Sequence, residues 1–334
     1  MYYAVRHLTK FRYAFPVSES IMEVRMHPRT EGNQRCLMFH LSVSPRCRVF
    51  SYRDHLNNNV HHFDIPGQHS QLVIVAESVV EMQPAPPLPA SLGPNAWNDL
   101  DELVHDNDYS ELLLPSEMCQ PTEQLRAFAK ELDLRRKGDP LALLVDLNEK
   151  LYNAFDYAPM TTHVDTPIDE VLRTRKGVCQ DFAHIMISMI RELRIPCRYV
   201  SGFLYRSKNT HDRSAEDATH AWVEVLLPQL GFVGFDPTNC LIAGDRHIRT
   251  AVGRDYADVP PTRGLYRGMT ASELAVGVRV SVSEQMPQIE PDLPIPEDWS
   301  MVVEKASEPI SAHLLQQIQQ QQQQQQQQSD CAEK

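Results

Sequence analysis

The strongest constraint in this sequence is a cluster of prolines between residues 84 and 94, where five of eleven residues are proline. Proline lacks a backbone N–H and fixes φ, so this stretch can continue neither a helix nor a central strand. It therefore predicts a stiff linker that divides the 334-residue chain. The length agrees with such a division, since it suits about two domains of ordinary size.

The sequence before the prolines carries the pattern of β structure. Leu37, Phe39, Leu41 and Val43 alternate with other side chains, which indicates a strand with one buried face. Short strand-like runs separated by turn residues predict an antiparallel, sandwich-like β domain over residues 1–82. Residues 83–120 are then the Pro-rich linker and a connecting segment.

After the linker, helical spacing comes first and strand-like runs follow. From about residue 121 leucines recur at helical spacing, and beyond Pro196 come CRYVSGFLY, HAWVEVLLP and GFVGFDP. This order predicts an α+β domain over 121–282, with a loop at 245–270 and a C-terminal strand extension whose valines alternate from 276 to 282. Residues 283–334 end in ten glutamines, 319–328, and predict an irregular, disordered tail.

Composition narrows the classes of function. The net charge of −12 argues against a nucleic-acid partner. The seven cysteines contain no Cys-x-x-Cys pair, and no acidic cluster resembles a calcium loop, so we expect neither a metal nor a cofactor. No apolar run is long enough to span a bilayer, and the opening MYYAVRHLTKFRYAF lacks a secretory apolar region. We therefore expect a cytoplasmic protein with reduced thiols and no membrane partner.

One cysteine occupies a distinctive position. Apolar residues from Phe182 to Leu193 fall on one helical face, so a helix should begin at Cys179 and stop before Pro196. The free N–H groups and the dipole at a helix start favour an anion over a neutral thiol. Cys179 is therefore a candidate nucleophile, although an inert packed cysteine is the alternative on this residue alone.

A base and an orienting carboxylate follow in two strand segments. His220 and Trp222 should point to one face of their strand, and Asp236 should end the next strand before Pro237. Residues 220 and 236 are equidistant from 228, so a turn there would bring them side by side. A carboxylate beside an imidazole selects one tautomer and stabilises the imidazolium, which suits acyl transfer by Cys, His and Asp.

The segments GVCQDFAH, THAWVEV and FDPTN resemble the three catalytic blocks of the transglutaminase-like superfamily, in the same chain order. The similarity is greatest to bacterial members that are classed as cysteine proteases, and it covers most of residues 1–282. It implies a papain-like core, with helices packed on an antiparallel sheet, after an N-terminal β domain. It also implies that Cys179 is the nucleophile, His220 the general base and acid, and Asp236 the orienting group.

Four further residues are candidates for support of this site. Gln180, Asp181 and Tyr157 fall in family-like motifs, and Trp222 shares the predicted strand face of His220. The resemblance implies an enzyme that attacks peptide or protein amides through a thioester, with hydrolysis favoured because no amine-acceptor site is recognisable. Transglutaminase-type transamidation and a non-catalytic peptide-binding module are the alternatives. The sequence does not indicate an oligomeric state.

Overall fold

The computed structural model describes residues 1–287 except 107, 207–211 and 215–217. The predicted glutamine-rich tail lies almost entirely outside the described residues. The helices are α1 (Ala96–Asp106), α2 (Ser110–Leu113), α3 (Glu123–Glu131), α4 (Pro140–Ala154), α5 (Ile168–Thr174) and α6 (Cys179–Glu192). The strands are β1 (Tyr2–Val24), β2 (Gln34–Ser44), β3 (Val49–Arg53), β4 (Asn59–Met82), β5 (Asp156–Tyr157), β6 (Lys176–Gly177), β7 (Cys197–Leu204), β8 (His220–Leu227), β9 (Gly231–Asp236), β10 (Leu241–Ile242), β11 (His247–Gly253), β12 (Thr262–Arg267) and β13 (Ser272–Ser283).

The N-terminal residues form an antiparallel sheet around two long strands, β1 and β4. The β1–β4 register shifts between Arg12 and Glu19, so each long strand has two halves. Apolar residues from both halves share one buried cluster, which contains Val17 and Met22 of β1 with Phe63 and Leu72 of β4. The sheet therefore folds over its own core, which gives the sandwich-like form.

The last two strands belong to this N-terminal sheet. The alternation at 276–282 correctly predicts a strand, β13, but this strand pairs with the first half of β1, and β12 pairs with the second half. The predicted C-terminal strand extension of residues 121–282 is therefore part of the first sheet. Alternation shows that a strand forms but not which strand it pairs with, so sequence order assigned it to the neighbouring domain.

The connecting segment also differs from a plain linker. Residues 83–120 contain the helices α1 and α2, and Leu92, Ala96, Leu100 and Cys119 are buried in the main core of the second domain. The prolines thus separate the sheet from these helices, while the remainder of the segment packs on the core of the second domain.

The second half confirms the predicted α+β class. A five-stranded antiparallel sheet has the order β10-β9-β8-β7-β11, and α6 packs against β7 and β8. The predicted helices correspond to α3 and α4, and α6 begins at Cys179 as expected. Its residues Phe182, Ile185 and Met189 are fully buried, so the first turn of α6 is held at a fixed place beside the sheet.

Two side-chain amides join the N-terminal domain to the outer edge of β11. Gln34 Oε1 accepts the N–H of Arg249 at 2.7 Å, and Gln34 Nε2 donates to the Arg249 carbonyl at 2.8 Å. Asn58 makes the same pair of bonds to Val252, both at 2.8 Å. The amides take the place of a neighbouring strand, so the first domain fixes β11, which begins at His247.

Candidate active site

The turn before α6 is tightly packed and hydrogen-bonded. Asp181 Oδ2 accepts the backbone N–H of Val178 at 2.8 Å and the hydroxyl of Thr162 at 2.7 Å. Burial raises the pKa of Asp181, and these two hydrogen bonds oppose that rise. A Cβ on Gly177 would lie 2.8 Å from the same carboxylate oxygen, so only glycine fits there. Asp181 therefore caps the turn and fixes the position of Cys179, which follows Val178.

The other candidate support residues hold the loops on either side of this turn. Gln180 Nε2 donates to the Val164 carbonyl at 2.9 Å. Tyr157 packs on the main core, and its backbone pairs with Gly177 in the short β5–β6 sheet. Cys179 itself lies at the first position of α6, where its side chain is partly exposed and forms no disulfide. The sequence-predicted residues thus converge on the start of this helix.

His220 and Asp236 are in direct contact. His220 Nε2 lies 2.8 Å from Asp236 Oδ2, and both side chains are buried. Leu227 pairs with Gly231, so the β8–β9 hairpin is centred on residue 229. The predicted centre of the turn, residue 228, is wrong by one position. The turn holds three residues, 228–230, with Gln229 at a positive φ of 68°. Asp236 is consequently diagonal to His220, but on the same face of the sheet.

The third predicted residue completes the arrangement. His220 Nδ1 has no hydrogen-bond partner of regular geometry among the described residues, whereas Cys179 interacts closely enough with His220 to raise its pKa. Because Nε2 is bonded to Asp236, Nδ1 is the ring atom left for the thiol. The structure therefore brings Cys179, His220 and Asp236 together in one site.

The electrostatics of the site favour charge on both partners of the buried pair. Burial by itself would lower the pKa of His220, but Asp236 and Cys179 outweigh it and raise the pKa to about 10. Burial would raise the pKa of Asp236, yet His220 and His247 hold it far below its ordinary value. Imidazolium and carboxylate are thus the favoured forms at neutral pH. A neighbouring cation is what stabilises a thiolate nucleophile.

The Asp236 carboxylate accepts five hydrogen bonds. Oδ1 accepts the N–H of Thr238 at 3.0 Å and that of Asn239 at 3.2 Å. Oδ2 accepts from Asn239 Nδ2 at 2.8 Å, from His220 and from His247 Nε2 at 3.2 Å. This saturation stabilises a buried carboxylate and fixes its orientation.

Trp222 packs against both rings of the site. Its ring lies 6.0 Å from His220 in a stacked orientation and 5.2 Å from His247, edge to face. A Cβ on Gly202 would come within 2.8 Å of the Trp222 ring. The tryptophan therefore fills the space beneath both histidines, which is consistent with its prediction as a supporting residue.

His247 is the site residue that the sequence did not reveal. It opens β11, within the stretch 245–270 that was expected to be a loop but contains both β11 and β12. One ring nitrogen of His247, one of His220 and a carboxylate oxygen of Asp236 lie within 4.8 Å of one another. This spacing would be compatible with a bound metal ion. The hydrogen bonds among the three already account for that spacing, so we treat them as a hydrogen-bonded cluster and not as metal ligands.

Comparisons with known proteins identify the family of this chain. The bacterial transglutaminase-like N-terminal region matches residues 3–81, and the transglutaminase-like superfamily matches residues 126–237. An uncharacterised protein of Mycobacterium leprae is 30% identical over 278 residues, which cover 83% of this chain and 97% of that protein. An uncharacterised protein of Mycobacterium tuberculosis is 34% identical over 290 residues, which cover 83% of this chain and 92% of that one.

Two further similarities cover a named enzyme and a solved structure. A protein-glutamine gamma-glutamyltransferase of Pseudomonas aeruginosa is 31% identical over 160 residues, which cover 43% of this chain and 23% of that enzyme. The structure of a candidate cysteine protease from Cytophaga hutchinsonii superposes with a TM-score of 0.65 at 20% identity, covering 87% of this chain and 94% of that one. The latter shows a shared fold. Among the described residues, no helix has the length and apolar character needed to cross a membrane.

Proposed function

This chain belongs to the transglutaminase-like superfamily, and from that premise we propose that it is a cysteine-dependent amidase or peptidase. The observation that carries the proposal is the 2.8 Å contact of His220 with Asp236, together with the interaction of Cys179 that raises the pKa of His220. The substrate is a peptide or protein amide, the class on which this family acts.

The proposed reaction begins with the thiolate of Cys179, which attacks the amide carbonyl carbon. The oxygen becomes an oxyanion, and the unsatisfied N–H groups at the first turn of α6 are placed to donate to it. His220 then gives its Nδ1 proton to the leaving amine as the C–N bond breaks, and a thioester remains on Cys179. In the second half, neutral His220 removes a proton from water and the hydroxide attacks the thioester. The C–S bond then breaks, which releases the acid product and returns Cys179 to the thiolate beside the imidazolium.

Alkylation of Cys179 tests the proposal directly. With a limiting amount of iodoacetamide at pH 6, we expect Cys179 to react far faster than the other cysteines, and His220→Ala to abolish this preference. Cys240→Ala is the matched control, since Cys240 is also partly exposed but burial and nearby carboxylates raise its pKa. Equal, slow labelling of all seven cysteines would refute the proposal.

Transamidation is the second candidate, and the similarity to the Pseudomonas gamma-glutamyltransferase favours it. In that reaction a primary amine, rather than water, attacks the thioester. A glutamine-containing peptide offered with a fluorescent amine separates the two outcomes, because amine incorporation that exceeds hydrolysis would replace our first choice. Cys179→Ala should abolish both products.

A non-catalytic peptide-binding module is the remaining alternative. Such a module needs no activated thiol, so it predicts unselective labelling of Cys179 and no effect of His220→Ala. We further propose a reducing compartment such as the cytoplasm, which the six free thiols of the described residues support.

A further inference from the structure

A second histidine shares the carboxylate that orients His220. His247 lies on a different strand, β11, and its side chain is almost completely buried. Its Nε2 is 3.2 Å from the same oxygen of Asp236 that His220 contacts at 2.8 Å. The two rings are 6.1 Å apart, so one carboxylate oxygen joins them.

The proton on His247 can be assigned from its other nitrogen. The backbone N–H of Gly244 donates to His247 Nδ1 at 3.3 Å, so Nδ1 carries no proton. The single proton of the neutral ring is therefore on Nε2, where it is donated to Asp236. In agreement, burial lowers the pKa of His247 and outweighs the opposing effect of Asp236, while His220 and Arg246 act in the same direction as burial.

The surroundings prevent this ring from turning away. Trp222 packs edge to face on it, and Gln34 and Asn58 fix β11 from the N-terminal domain. His247 is thus a rigid donor whose position depends on the first domain, whereas Asp236 and His220 come from one hairpin.

On the basis of the proposed function, we propose that His247 is a positioning residue, which donates from Nε2 to Asp236 Oδ2 and holds that carboxylate in line with His220. Its two ring nitrogens bond to Asp236 and Gly244, so it acts on His220 through the carboxylate. With Asn239 it saturates Oδ2, so the carboxylate stays ionised and does not rotate or take the proton of His220. The role also explains how the N-terminal domain contributes to the chemistry.

The test compares two replacements of His247 in the full chain. His247→Phe keeps a ring but removes the donor, and it should slow alkylation of Cys179 by iodoacetamide at pH 6 by about 10- to 100-fold, the size expected for a lost hydrogen bond to a charged group. His247→Gln places an amide N–H near the position of Nε2, and it should restore the rate to within about threefold of the unmodified chain. Equal rates in the two variants would overturn the proposal.

A matched control and a spectroscopic measurement separate positioning from general destabilisation. His184 is another buried histidine of this domain, which accepts the Tyr256 N–H outside the site. His184→Gln should lower the urea midpoint without changing the alkylation rate. The ring N–H proton resonance of His220, measured by NMR, should move in His247→Phe and not in His184→Gln, and a resonance that is unmoved in both would also overturn the proposal.

The same experiment distinguishes failure of this inference from failure of the proposed function. If Cys179 is not selectively alkylated in the unmodified chain, the cysteine chemistry itself is refuted. If Asp236→Asn slows alkylation but His247→Phe does not, the chemistry stands and the positioning role of His247 is refuted.

Discussion

Replacement of Asp236 by asparagine should remove the charge on His220 and with it the reactivity of Cys179. The pKa of His220 is about 10 against an ordinary value of 6.5. At about 1.4 kcal/mol for each pH unit, the surroundings favour the imidazolium by roughly 5 kcal/mol. Burial opposes this charge and Asp236 is the first of the causes that support it, so the neutral amide should lower the pKa of His220 well below 10.

The geometry also dictates the tautomer in this variant. Oδ1 of residue 236 accepts the N–H groups of Thr238 and Asn239, so the asparagine must keep its oxygen there. Its amide nitrogen then faces His220 Nε2 and donates to it, which moves the ring proton to Nδ1. A protonated Nδ1 cannot accept the proton of Cys179, and the thiol stays neutral.

The size of the effect follows from the loss of a charged partner beside the thiol. A hydrogen bond to a charged group contributes about 1.5–3 kcal/mol. Loss of the charge on His220 should therefore slow alkylation of Cys179 at pH 6 by about 10- to 150-fold in Asp236→Asn. The rate is measured by mass spectrometry of the Cys179 peptide over time, and circular dichroism checks that the variant is folded.

Asp255→Asn is the matched control for this experiment. Asp255 is equally buried in the same domain, where it accepts the N–H groups of Met118 and Ala257. Its replacement should lower stability but leave the alkylation rate unchanged. A folded Asp236→Asn protein that reacts at the unmodified rate would refute the reasoning, because it would show that Cys179 does not depend on a charged His220.

Three further predictions concern stability. Gly177→Ala should lower the free energy of unfolding by about 1–3 kcal/mol, measured with urea, because the new methyl collides with Asp181. Asn58→Ala should cost about 2–5 kcal/mol in the same measurement, since it leaves the buried N–H and carbonyl of Val252 unpaired, whereas a cost below 1 kcal/mol would contradict this account. The ion pair of Asp236 with His220 should stabilise the fold most between about pH 4 and 6.5. Its contribution should fall as the pH rises toward about 10, because the imidazolium loses its proton, and below about pH 4, because the carboxylate gains one. The urea midpoint of Asp236→Asn should lack this pH dependence.

The parts of the site that depend on local pattern could be predicted from the sequence. The apolar spacing of Phe182 to Leu193 predicted a helix that begins at Cys179, and it does. The same segment contains Asp181, which was a candidate for support of the site, and its carboxylate accepts the N–H of Val178. These features are determined within a few residues, so tertiary context does not alter them.

The parts that depend on distant pairing could not be predicted. Gln34 and Arg249 are 215 positions apart, yet their two hydrogen bonds complete the edge of β11. β11 is short, and a partner made of side chains leaves no pattern in the strand itself. For the same reason β13 was assigned to the second domain although it pairs with β1, and His247 had no recognisable role.

The hairpin between His220 and Asp236 shows why one longer-range inference survived an error. Moving the centre of an antiparallel hairpin by one residue moves every partner by two positions. Side chains alternate between faces with a period of two, so the predicted neighbour keeps its face and becomes diagonal instead of opposite. Long side chains still meet across a diagonal, as the 2.8 Å contact of these two residues shows. A turn longer or shorter by one residue would move the centre by half a residue and the partner by one position, which would place Asp236 on the other face. Whether such a pair can form therefore depends on whether the turn has an odd or an even number of residues, and not on its exact centre.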